Sequence, residues 1–472
     1  MSLKRLALAV SATSVLAACA VGPDYQVPES AVAAAFKGTA VQSDQWIEVK
    51  PIDGWIRGDW WTDFNDPELN QLIATLNQQN QTVTQALARY QAAIAQTRGS
   101  RADLYPSLDS TTSANRSGGS ETSASSRYSL GGDVSWEVDL WGRISRQVEA
   151  SEASEEAAAI NLADVRLSMQ AELLQNYFDL RSADLQRQLL TQIVNAYEQS
   201  LQVTRNRYNQ GVAAYADVVI AEAQLENARV DAIAIETTRS RYENAIAVLI
   251  GETPSTFGLA EKANYLPSLI TVPVGLPSEL LRSRPDIAMA ERNVAAANAE
   301  IGVAQSAWFP RLNLSASGSY QESNFSDWIS SPLNVWSLGP QLVLTILDGG
   351  ARKASVNSAK ANYQAEVAAY RQVVLDAMRE VEDALIEGSN LVREQAAQQR
   401  ALSASRQSLQ ITLNQYQAGL VDFLSVAQVQ NSTYNAEMRQ LNLRAGRLQN
   451  QVNLIRALGG GWENPRLLQA SN

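Results

Sequence analysis

The feature that most constrains this chain is the uninterrupted stretch from residue 143 to residue 210, which contains neither glycine nor proline. These two residues interrupt helices most often, whereas the stretch is rich in the helix formers Ala, Glu, Gln, Leu and Arg. Apolar residues recur in it every three to four positions, as at Leu173, Tyr177 and Leu180, which predicts a coiled-coil-like helix with one polar face. At about 1.5 Å per residue the helix would be about 100 Å long, about three times the thickness of a bilayer core.

The stretch ends in a turn motif that the chain contains twice. RYNQGVAAYADV begins at Arg207 and QYQAGLVDF at Gln415. The separation between Tyr208 and Tyr416, hereafter the repeat spacing, is also the separation between Gly211 and Gly419. Other short matches recur at the same or nearly the same separation, which indicates an internal two-fold repeat of a unit about 200 residues long. Each copy is predicted to hold a long helical hairpin: 143–250 with its tip at 208–217, and 351–458 with its tip at 416–425.

A change of hydrophobic period marks two strands in each copy. Predicted helices at 66–104 and 284–308 end against Pro106 and Pro310. Beyond each proline the period falls from about 3.6 to 2, most clearly in RLNLSASGSY, where apolar and polar residues alternate. The predicted β-hairpins are 105–140 and 309–348, with Ser/Gly-rich loops at 117–125 and 321–333.

Four strands of this length would suit an outer-membrane barrel, but four cannot close one, because the smallest barrels use about eight. Three copies would supply twelve strands and leave no strand edge facing lipid. We therefore expect a mixed α+β membrane protein: a trimeric 12-stranded outer-membrane β-barrel, with four strands per chain, continuous with a long α-helical coiled-coil periplasmic tunnel.

The N-terminus indicates export and lipid attachment. Lys4 and Arg5 precede an apolar run too short to span a bilayer, so that residues 1–18 are predicted to be a signal peptide. Small residues directly precede Cys19, the only cysteine, in a pattern similar to a bacterial lipobox, in which the thiol receives a lipid. Ala20 stands where an aspartate would commonly signal retention at the inner membrane. The predicted location is the outer membrane of a Gram-negative bacterium, with Cys19 as the lipid anchor.

Several classes of function are disfavoured by the composition. The chain has no histidine, which removes the usual general base and the commonest metal ligand, and no Walker A, GxGxxG or GxSxG motif. The net charge of −11 disfavours nucleic acid as a partner. We expect no enzyme, no catalytic residue, no metal site and no cofactor other than the covalent lipid on Cys19.

Several sequence blocks together resemble one known family. The chain is similar to the outer-membrane factors of tripartite efflux systems, the TolC/OprM family, in its lipidated drug-efflux branch. The resemblance covers nearly the whole mature chain, and its blocks occur in the family's order. They are GPDY after Cys19, WWTDFNDPELNQLI at 60–73, SWEVDLWGR at 135–143, LPSELLRSRPDIAMAER at 276–292, WFPRLNLSASGSY at 308–320 and GGGW at 459–462.

The resemblance implies a homotrimeric channel that carries drugs and other toxic small molecules passively through the outer membrane. It implies two protein partners, a periplasmic adaptor (membrane fusion protein) and an inner-membrane RND pump, together with outer-membrane lipid. It also implies an equatorial collar made of the lipidated N-terminal segment 19–65, the linker 251–283 and the C-terminal segment 459–472.

The resemblance further implies that the turns at Gly211 and Gly419 form the periplasmic tip, where the helices close the tunnel. Asp422 matches a position at which relatives carry a ring of acidic residues, and we expect it either to attract cations there or to serve as a helix N-cap. Relatives commonly have a second aspartate shortly afterwards, which the stretch Ser425–Gln428 lacks, so a second ring does not carry over. Asp217 is expected to cap the returning helix of the first copy or to contribute to selectivity. Tyr208 and Tyr416 are expected either to hold the tip shut or simply to pack.

Two alternatives remain open at this point. One is an outer-membrane duct for type I secretion of polypeptides, which would share the architecture. The other is a structural lipoprotein scaffold without a pore, because long amphipathic helices also occur in plain coiled coils.

Overall fold

The computed structural model describes residues 20–30, 33–38, 46–48, 59–120, 122–275, 277–327 and 335–462. Cys19, the signal peptide 1–18 and the C-terminal end from 463 lie outside the described residues, as does much of the segment 19–65. Within these residues the α-helices are α1 (Pro67–Gln79), α2 (Gln81–Ala102), α3 (Arg143–Asn209), α4 (Tyr215–Leu249), α5 (Leu280–Ser283), α6 (Pro285–Ser306), α7 (Ala351–Gln417) and α8 (Phe423–Ala457). In the part of the chain that the structure describes, no helix combines the length and hydrophobicity needed to cross a membrane.

The four longest of these helices form two pairs of equal length. Helices α3 and α7 each contain 67 residues, and α4 and α8 each contain 35 residues. The first residues of α3 and α7, Arg143 and Ala351, are separated by the repeat spacing, as are the first residues of α4 and α8. The helices thus begin at matching places in the two copies, as the repeated turn motif does.

Helices α1 and α2 replace the single helix predicted over 66–104, which is therefore a correction. The break falls at Asn80, whose backbone is extended (φ −62°, ψ 124°). Its buried side chain accepts a hydrogen bond from the Val83 amide at 2.9 Å and donates one to the Leu249 carbonyl at 2.7 Å. Asn80 therefore begins a new helix and attaches it to the end of α4, because Asn caps helices well and competes with a continuous helical backbone.

The strands form a four-stranded antiparallel sheet and a separate short pair. The strands are β1 (Trp46–Glu48), β2 (Ser107–Gly119), β3 (Thr122–Val138), β4 (Val272–Val274), β5 (Arg311–Glu322) and β6 (Val335–Val343). The large sheet has the order β2-β3-β5-β6, so β2 and β6 are its edges, while β1 pairs with β4 in parallel.

The sheet differs from the predicted hairpins in the length of its strands. The predicted loop 117–125 is mostly strand, because β2 continues to Gly119 and β3 starts at Thr122. Backbone pairing does not require apolar side chains, and hydroxyl pairs reinforce it: Ser113 with Ser129 at 2.7 Å, and Ser107 with Ser135 at 2.9 Å. In the second copy β6 ends at Val343, although the predicted hairpin extends to position 348.

The register gives the sheet two different faces. One face is largely apolar and the other carries mainly hydroxyl and amide side chains, because residues opposite each other share a face and successive residues alternate. The apolar face includes Leu108, Leu130, Val134, Leu312, Leu314, Leu338 and Leu342. The polar face includes Ser107, Ser113, Ser129, Ser135, Asn313, Ser317 and Ser337.

The chain divides into two compact units. Of the described residues, one unit contains 20–30 together with those in Ala88–Ile160 and Met289–Val373, and it includes the four-stranded sheet. The other consists of Ala31–Leu87, Asn161–Ala288 and the residues from Val374 onward, and it contains both helical turns.

A buried ionic network holds the linker after α4 within the second unit. Arg181 of α3 is fully buried and contacts Asp184 at 2.8 Å, Glu68 of α1 and the carbonyl oxygen of Ala260 at 2.9 Å. Lys262 of the linker binds Glu68 at 2.7 Å. The buried charge of Arg181 is paired with Asp184 and with the partly exposed Glu68, so the network fixes the linker against α1 and α3.

Candidate gate at the helical turns

Both helical turns end their long helix with the same hydrogen-bonded motif. In the first turn the Val212 amide donates to the carbonyl of Arg207 at 3.0 Å, and the Gly211 amide donates to that of Tyr208 at 2.9 Å. The second turn repeats this pattern at the matching residues around Gly419. This is the Schellman arrangement, in which the residue after the helix adopts a left-handed conformation.

Glycine is required in these turns by the backbone conformation. Gly211 has φ 74° and Gly419 has φ 76°, a region that other residues enter only with strain. A Cβ atom at Gly211 would meet no neighbouring atom within 4 Å, so crowding is not the reason. The structure thus places both predicted tip glycines at the point where a long helix reverses.

The second turn is held by an arginine of the first hairpin. The Arg207 guanidinium lies 4.7 Å from the ring centroid of Tyr416, and its Nη1 donates to the carbonyl oxygens of Tyr416 at 3.0 Å and Gln417 at 3.3 Å. Those carbonyls end α7, where the helix leaves acceptors without partners and presents a partial negative charge. Arg207 therefore supplies both a cation–π contact and a C-terminal cap to the other hairpin.

The two predicted gate tyrosines have different surroundings. Tyr416 is only 5% exposed, packs edge-on against Phe423 at 5.6 Å, and its hydroxyl lies 3.3 Å from that of Thr204 in the first hairpin. Tyr208 is 43% exposed and lies against Tyr215 of its own hairpin at 5.5 Å. The structure thus joins the two hairpins through Tyr416, whereas Tyr208 contacts the far side of its own turn.

Asp422 is the N-cap of α8. Its backbone is extended, and its Oδ1 accepts hydrogen bonds from the amide of Ser425 at 2.9 Å and from the Ser425 hydroxyl at 2.6 Å. These hydrogen bonds lower the pKa of the exposed Asp422 carboxyl, because they favour its ionised form. Asp422 is therefore both a cap and an exposed negative charge at the turn.

Asp217 does not cap α4, contrary to the capping role expected for it. The N-cap is Ala214, which has no side chain able to cap, and Asp217 lies in the first turn of the helix. A carboxylate in this turn is still favourable, because it faces the positive end of the helix dipole. Ala214 occupies the position equivalent to Asp422, so the two copies differ in their caps. In the described part of the chain, no group of three His, Cys, Asp or Glu side chains could hold a metal ion.

A single apolar cluster lies beside the turns and includes residues of all four long helices. Buried Gln224 adds a polar link between the hairpins, because its Nε2 donates to the Ala427 carbonyl at 3.1 Å. The buried members of the cluster are Ile193, Tyr197, Leu201, Val218, Ala221, Leu225, Ala228, Tyr416, Phe423, Val426 and Ala427.

Arg207 is the site residue that the sequence reasoning missed. The signal was present, because its counterpart in the second copy is Gln415, a change from charged to neutral beside two otherwise matching tyrosines. Here the task of Arg207 is to bind the other copy.

Comparison with known proteins identifies similarity over nearly the whole chain. The family model described as "Outer membrane efflux protein" matches residues 72–252 and 276–460. The chain is 32% identical over 471 residues to the probable efflux pump outer membrane protein TtgC of Pseudomonas putida, covering 97% of this chain and 95% of the relative. It is 30% identical to the cation efflux system protein CusC of Escherichia coli, covering 94% of this chain and 97% of that protein.

Solved structures agree with these sequence matches. The outer-membrane channel OprN superposes with a TM-score of 0.87 at 33% identity, covering 94% of this chain and 100% of that chain. The chain therefore has the fold of known outer-membrane channels.

Proposed function

Because the chain belongs to the outer membrane efflux protein family, and is therefore the outer-membrane channel of a tripartite efflux system, we propose that three copies form a passive exit duct for drugs and other toxic small molecules. The channel is opened at its periplasmic turns by a periplasmic adaptor and an inner-membrane RND pump, and the pump supplies the energy. The family is a class of transport ducts rather than of enzymes.

The trimer is supported by the four-stranded sheet, which has one apolar face and two edges, β2 and β6. An edge strand has unpaired backbone groups that lipid cannot satisfy. The strands alternate in direction along the order β2-β3-β5-β6, so β6 of one copy can pair antiparallel with β2 of the next. Twelve strands from three copies close a barrel with the apolar face toward lipid and the hydroxyl-rich face toward the lumen.

The equal helix lengths and their common repeat spacing support the internal repeat. In the trimer, six hairpins alternate around the axis, and Arg207 of each first hairpin holds the second hairpin of the same chain. We infer that this contact stabilises the closed tip. Opening requires the adaptor or pump to separate Arg207 from Tyr416 and from the end of α7.

We propose that Asp422 forms an acidic ring at the tip, to which each of the three chains contributes one carboxylate. The Asp422 carboxylate is ionised at neutral pH, because the hydrogen bonds from Ser425 lower a pKa that ordinarily already lies well below 7, and its charge favours cations at the entrance. Asp217 is proposed to contribute a further negative charge near the first turn, and Tyr208 a surface contact. Cys19 is proposed to carry the lipid that anchors the N-terminus in the outer membrane.

The solutes are proposed to be small molecules rather than polypeptides. TtgC is named for an efflux pump and CusC for cation efflux, and both match this chain over nearly its whole length. A type I polypeptide duct is the second candidate, and the neighbouring genes distinguish the two. A gene for an RND pump supports small-molecule efflux, whereas a gene for an ABC exporter supports secretion.

The channel is tested by recording single-channel currents from the purified protein in planar bilayers. Discrete conductance steps are expected, and a pore-free scaffold would produce none. In cells, deletion of the gene should increase sensitivity to efflux substrates, and the wild-type gene on a plasmid should restore resistance. Persistent absence of steps, with complementation also failing, would contradict the function.

A further inference from the structure

The N-terminal segment 20–30 is ordered although it contains no helix or strand. It lies in the same compact unit as the four-stranded sheet. Its first contact is with the junction between β3 and α3, where the Val21 amide donates to the Trp141 carbonyl at 3.0 Å. A Cβ atom on Gly142 would lie 2.9 Å from the Cα of Ala20, so the segment passes directly over this junction.

Two glycines allow the segment to cross α6 at very short range. A Cβ atom on Gly22 would lie 2.6 Å from the Cα of Gly302, which is closer than real Cβ atoms approach. A Cβ atom on Gly302 would lie 2.7 Å from the Val21 carbonyl oxygen and 2.9 Å from Cγ of Arg146. The clash with Val21 involves backbone, which cannot turn away as a flexible side chain can. Gly302 therefore forms the floor of a groove that fits this segment.

Buried polar groups bind the segment next to the glycine crossing. Arg146 of α3 donates to the Val21 carbonyl at 3.3 Å and pairs with Asp24 at 3.0 Å. Asn298 of α6 is buried, and its Nδ2 donates to the Pro23 carbonyl at 2.9 Å. The two side chains satisfy backbone carbonyls that would otherwise lack partners, and removal of the segment would leave both without these acceptors.

The far half of the segment is attached to two helices. The Tyr25 hydroxyl donates to the Glu291 carboxylate of α6, and the Arg292 guanidinium lies 5.5 Å from the Tyr25 ring centroid. Burial and the neighbouring Glu291 raise the pKa of Tyr25, so it remains a protonated donor. Arg371 of α7 donates to the Glu29 carbonyl at 3.3 Å. Three helices, α3, α6 and α7, thus contact a segment that has no regular structure of its own.

We propose that residues 20–30, hereafter the strap, are an intramolecular ligand whose docking onto α3, α6 and α7 fixes the junction between the sheet and the long helices. Docking of the strap is required for a stable channel independently of lipid attachment at the preceding cysteine. The claim that strap docking is required for efflux rests on the proposed function, whereas the docking itself does not.

The test uses Gly302→Ala in the full-length protein, with Gly99→Ala as the matched control. Both glycines lie inside helices of the same unit, and Ala is normally better than Gly there by about 1 kcal/mol. A Cβ atom at Gly99 would meet no neighbour within 4 Å, so this variant tests the helix effect alone. Hydrogen exchange of the peptide covering the strap measures docking, palmitate labelling measures lipid attachment, and heat-resistant oligomer and drug resistance measure the channel.

Gly302→Ala is expected to accelerate exchange in the strap by about tenfold or more, because opening of the docked segment becomes less costly. Gly302→Ala should also reduce the amount of heat-resistant oligomer and the drug resistance of cells, and it should leave palmitate labelling unchanged. Gly99→Ala should resemble wild type in all of these measurements. Unchanged exchange in Gly302→Ala would overturn the docking. Faster exchange in the strap, together with a normal amount of heat-resistant oligomer and normal drug resistance, would overturn the claim that docking is required for a stable channel.

If Gly302→Ala does not accumulate, Asn298→Ala provides the test, because it removes the bond to Pro23 without adding an atom. It should increase strap exchange by a smaller factor, and unchanged exchange there would overturn the proposal. A wild-type protein that protects the strap but shows no conductance would separate failure of the proposed function from failure of the docking.

Discussion

Asp422 caps α8 and is proposed to form an acidic ring, and a suitable pair of substitutions separates these two roles. Asp422→Asn keeps a good N-cap but removes the charge, whereas Asp422→Ala removes both. We expect both variants to lower the cation selectivity of the open channel and to weaken block by multivalent cations, because both remove the carboxylate of the proposed ring. Reversal potentials in planar bilayers under a salt gradient measure this selectivity.

The two variants should differ in the stability of the tip. Asp422→Ala leaves the first amides of α8 without the side-chain acceptor that Ser425 now uses, so its tip should fluctuate more, with noisier closed-state currents. Asp422→Asn should resemble wild type in this respect. Unchanged selectivity in Asp422→Asn would reject the acidic ring and leave Asp422 as a cap only.

Asp164 gives the second unit a predictable pH dependence. Burial, reinforced by Asp286, raises the pKa of Asp164 to about 6, above the value of about 3.9 for an unfolded aspartate. Between these two pKa values the folded state holds the proton that the unfolded state loses, so this group lowers stability as the pH rises. Above the folded-state pKa the loss of stability caused by the Asp164 carboxylate no longer changes with pH. Asp164→Asn should therefore stabilise the protein by about 1–3 kcal/mol at pH 7.5 and by less at pH 5.

Thermal unfolding of the purified protein at both pH values measures this difference. Glu172→Gln is the matched control, because it removes an exposed carboxylate from the same helix. An apparent melting temperature that rises equally at pH 5 and pH 7.5 in Asp164→Asn would show that the titration of this group is not responsible.

The residues of the candidate gate could be predicted from the sequence where the backbone conformation or a match between the two predicted repeats defined them. Gly211 and Gly419 were identifiable because only glycine suits a left-handed turn between two helices. Asp422 was identifiable as an N-cap candidate because it directly precedes an apolar stretch. Arg207 was missed because its role depends on a contact between segments far apart in the sequence, and its difference from Gln415 at the matching position does not indicate which residue it contacts.

At the scale of the helical hairpins, Arg207 should determine how firmly the tip stays closed. Arg207→Gln introduces the residue type that the second repeat has at the matching position, Gln415. It removes both the cation–π contact with Tyr416 and the cap on α7. Charged hydrogen bonds of this kind contribute about 1.5–3 kcal/mol, so we expect the closed state to open more often by about tenfold or more. Single-channel open probability measures the effect, together with sensitivity of cells to large antibiotics that the closed tip excludes.

Arg205→Gln is the control for this substitution. Arg205 lies close to Arg207 in the same helix and pairs with Glu222 of its own hairpin, so it does not join the two hairpins. The Arg205→Gln variant should have a single-channel open probability close to that of wild type. Equal effects of Arg205→Gln and Arg207→Gln would indicate a general loss of positive charge rather than loss of the contact to Tyr416.

The helices and strands show where sequence patterns determine an element and where they do not. The long helices could be predicted because the absence of Gly and Pro and the apolar period act over many residues. The break at Asn80 could not, because it depends on a hydrogen bond to Leu249 from a distant part of the chain. The strands before and after residues 120–121 were underestimated, because serine and glycine favour loops locally while neighbouring strands still pair their backbones.

At the scale of the whole molecule, the predicted repeat and the two faces of the sheet indicate how the chain could form a channel. The repeat spacing could be recognised from sequence because matching motifs occur in the same order. The faces could be recognised only in part, because β2 is nearly all polar and its register is fixed by pairing with β3. The proposed assembly of three chains rests on the two edge strands, β2 and β6, because four strands are too few to close into a barrel.

The membrane orientation of the sheet can be tested with two neighbouring residues of β6. Leu338 lies on the apolar face opposite Ala316 and is 77% exposed in the single chain, whereas Ser337 lies on the polar face opposite Ser317. If the apolar face contacts lipid, Leu338→Arg costs about 2–4 kcal/mol near the membrane midplane, while Ser337→Arg places the same charge in water. Leu338→Arg should therefore reduce the amount of heat-resistant trimer in outer-membrane fractions severalfold.

Ser337→Arg is the matched control, because it introduces the same side chain at the adjacent position of the same strand. It should assemble normally and change only the conductance or its ion selectivity, since a lumen-facing arginine stays hydrated. The opposite result, with Ser337→Arg losing trimer and Leu338→Arg assembling, would reverse the two faces. Equal assembly of both variants would mean that the sheet does not contact lipid.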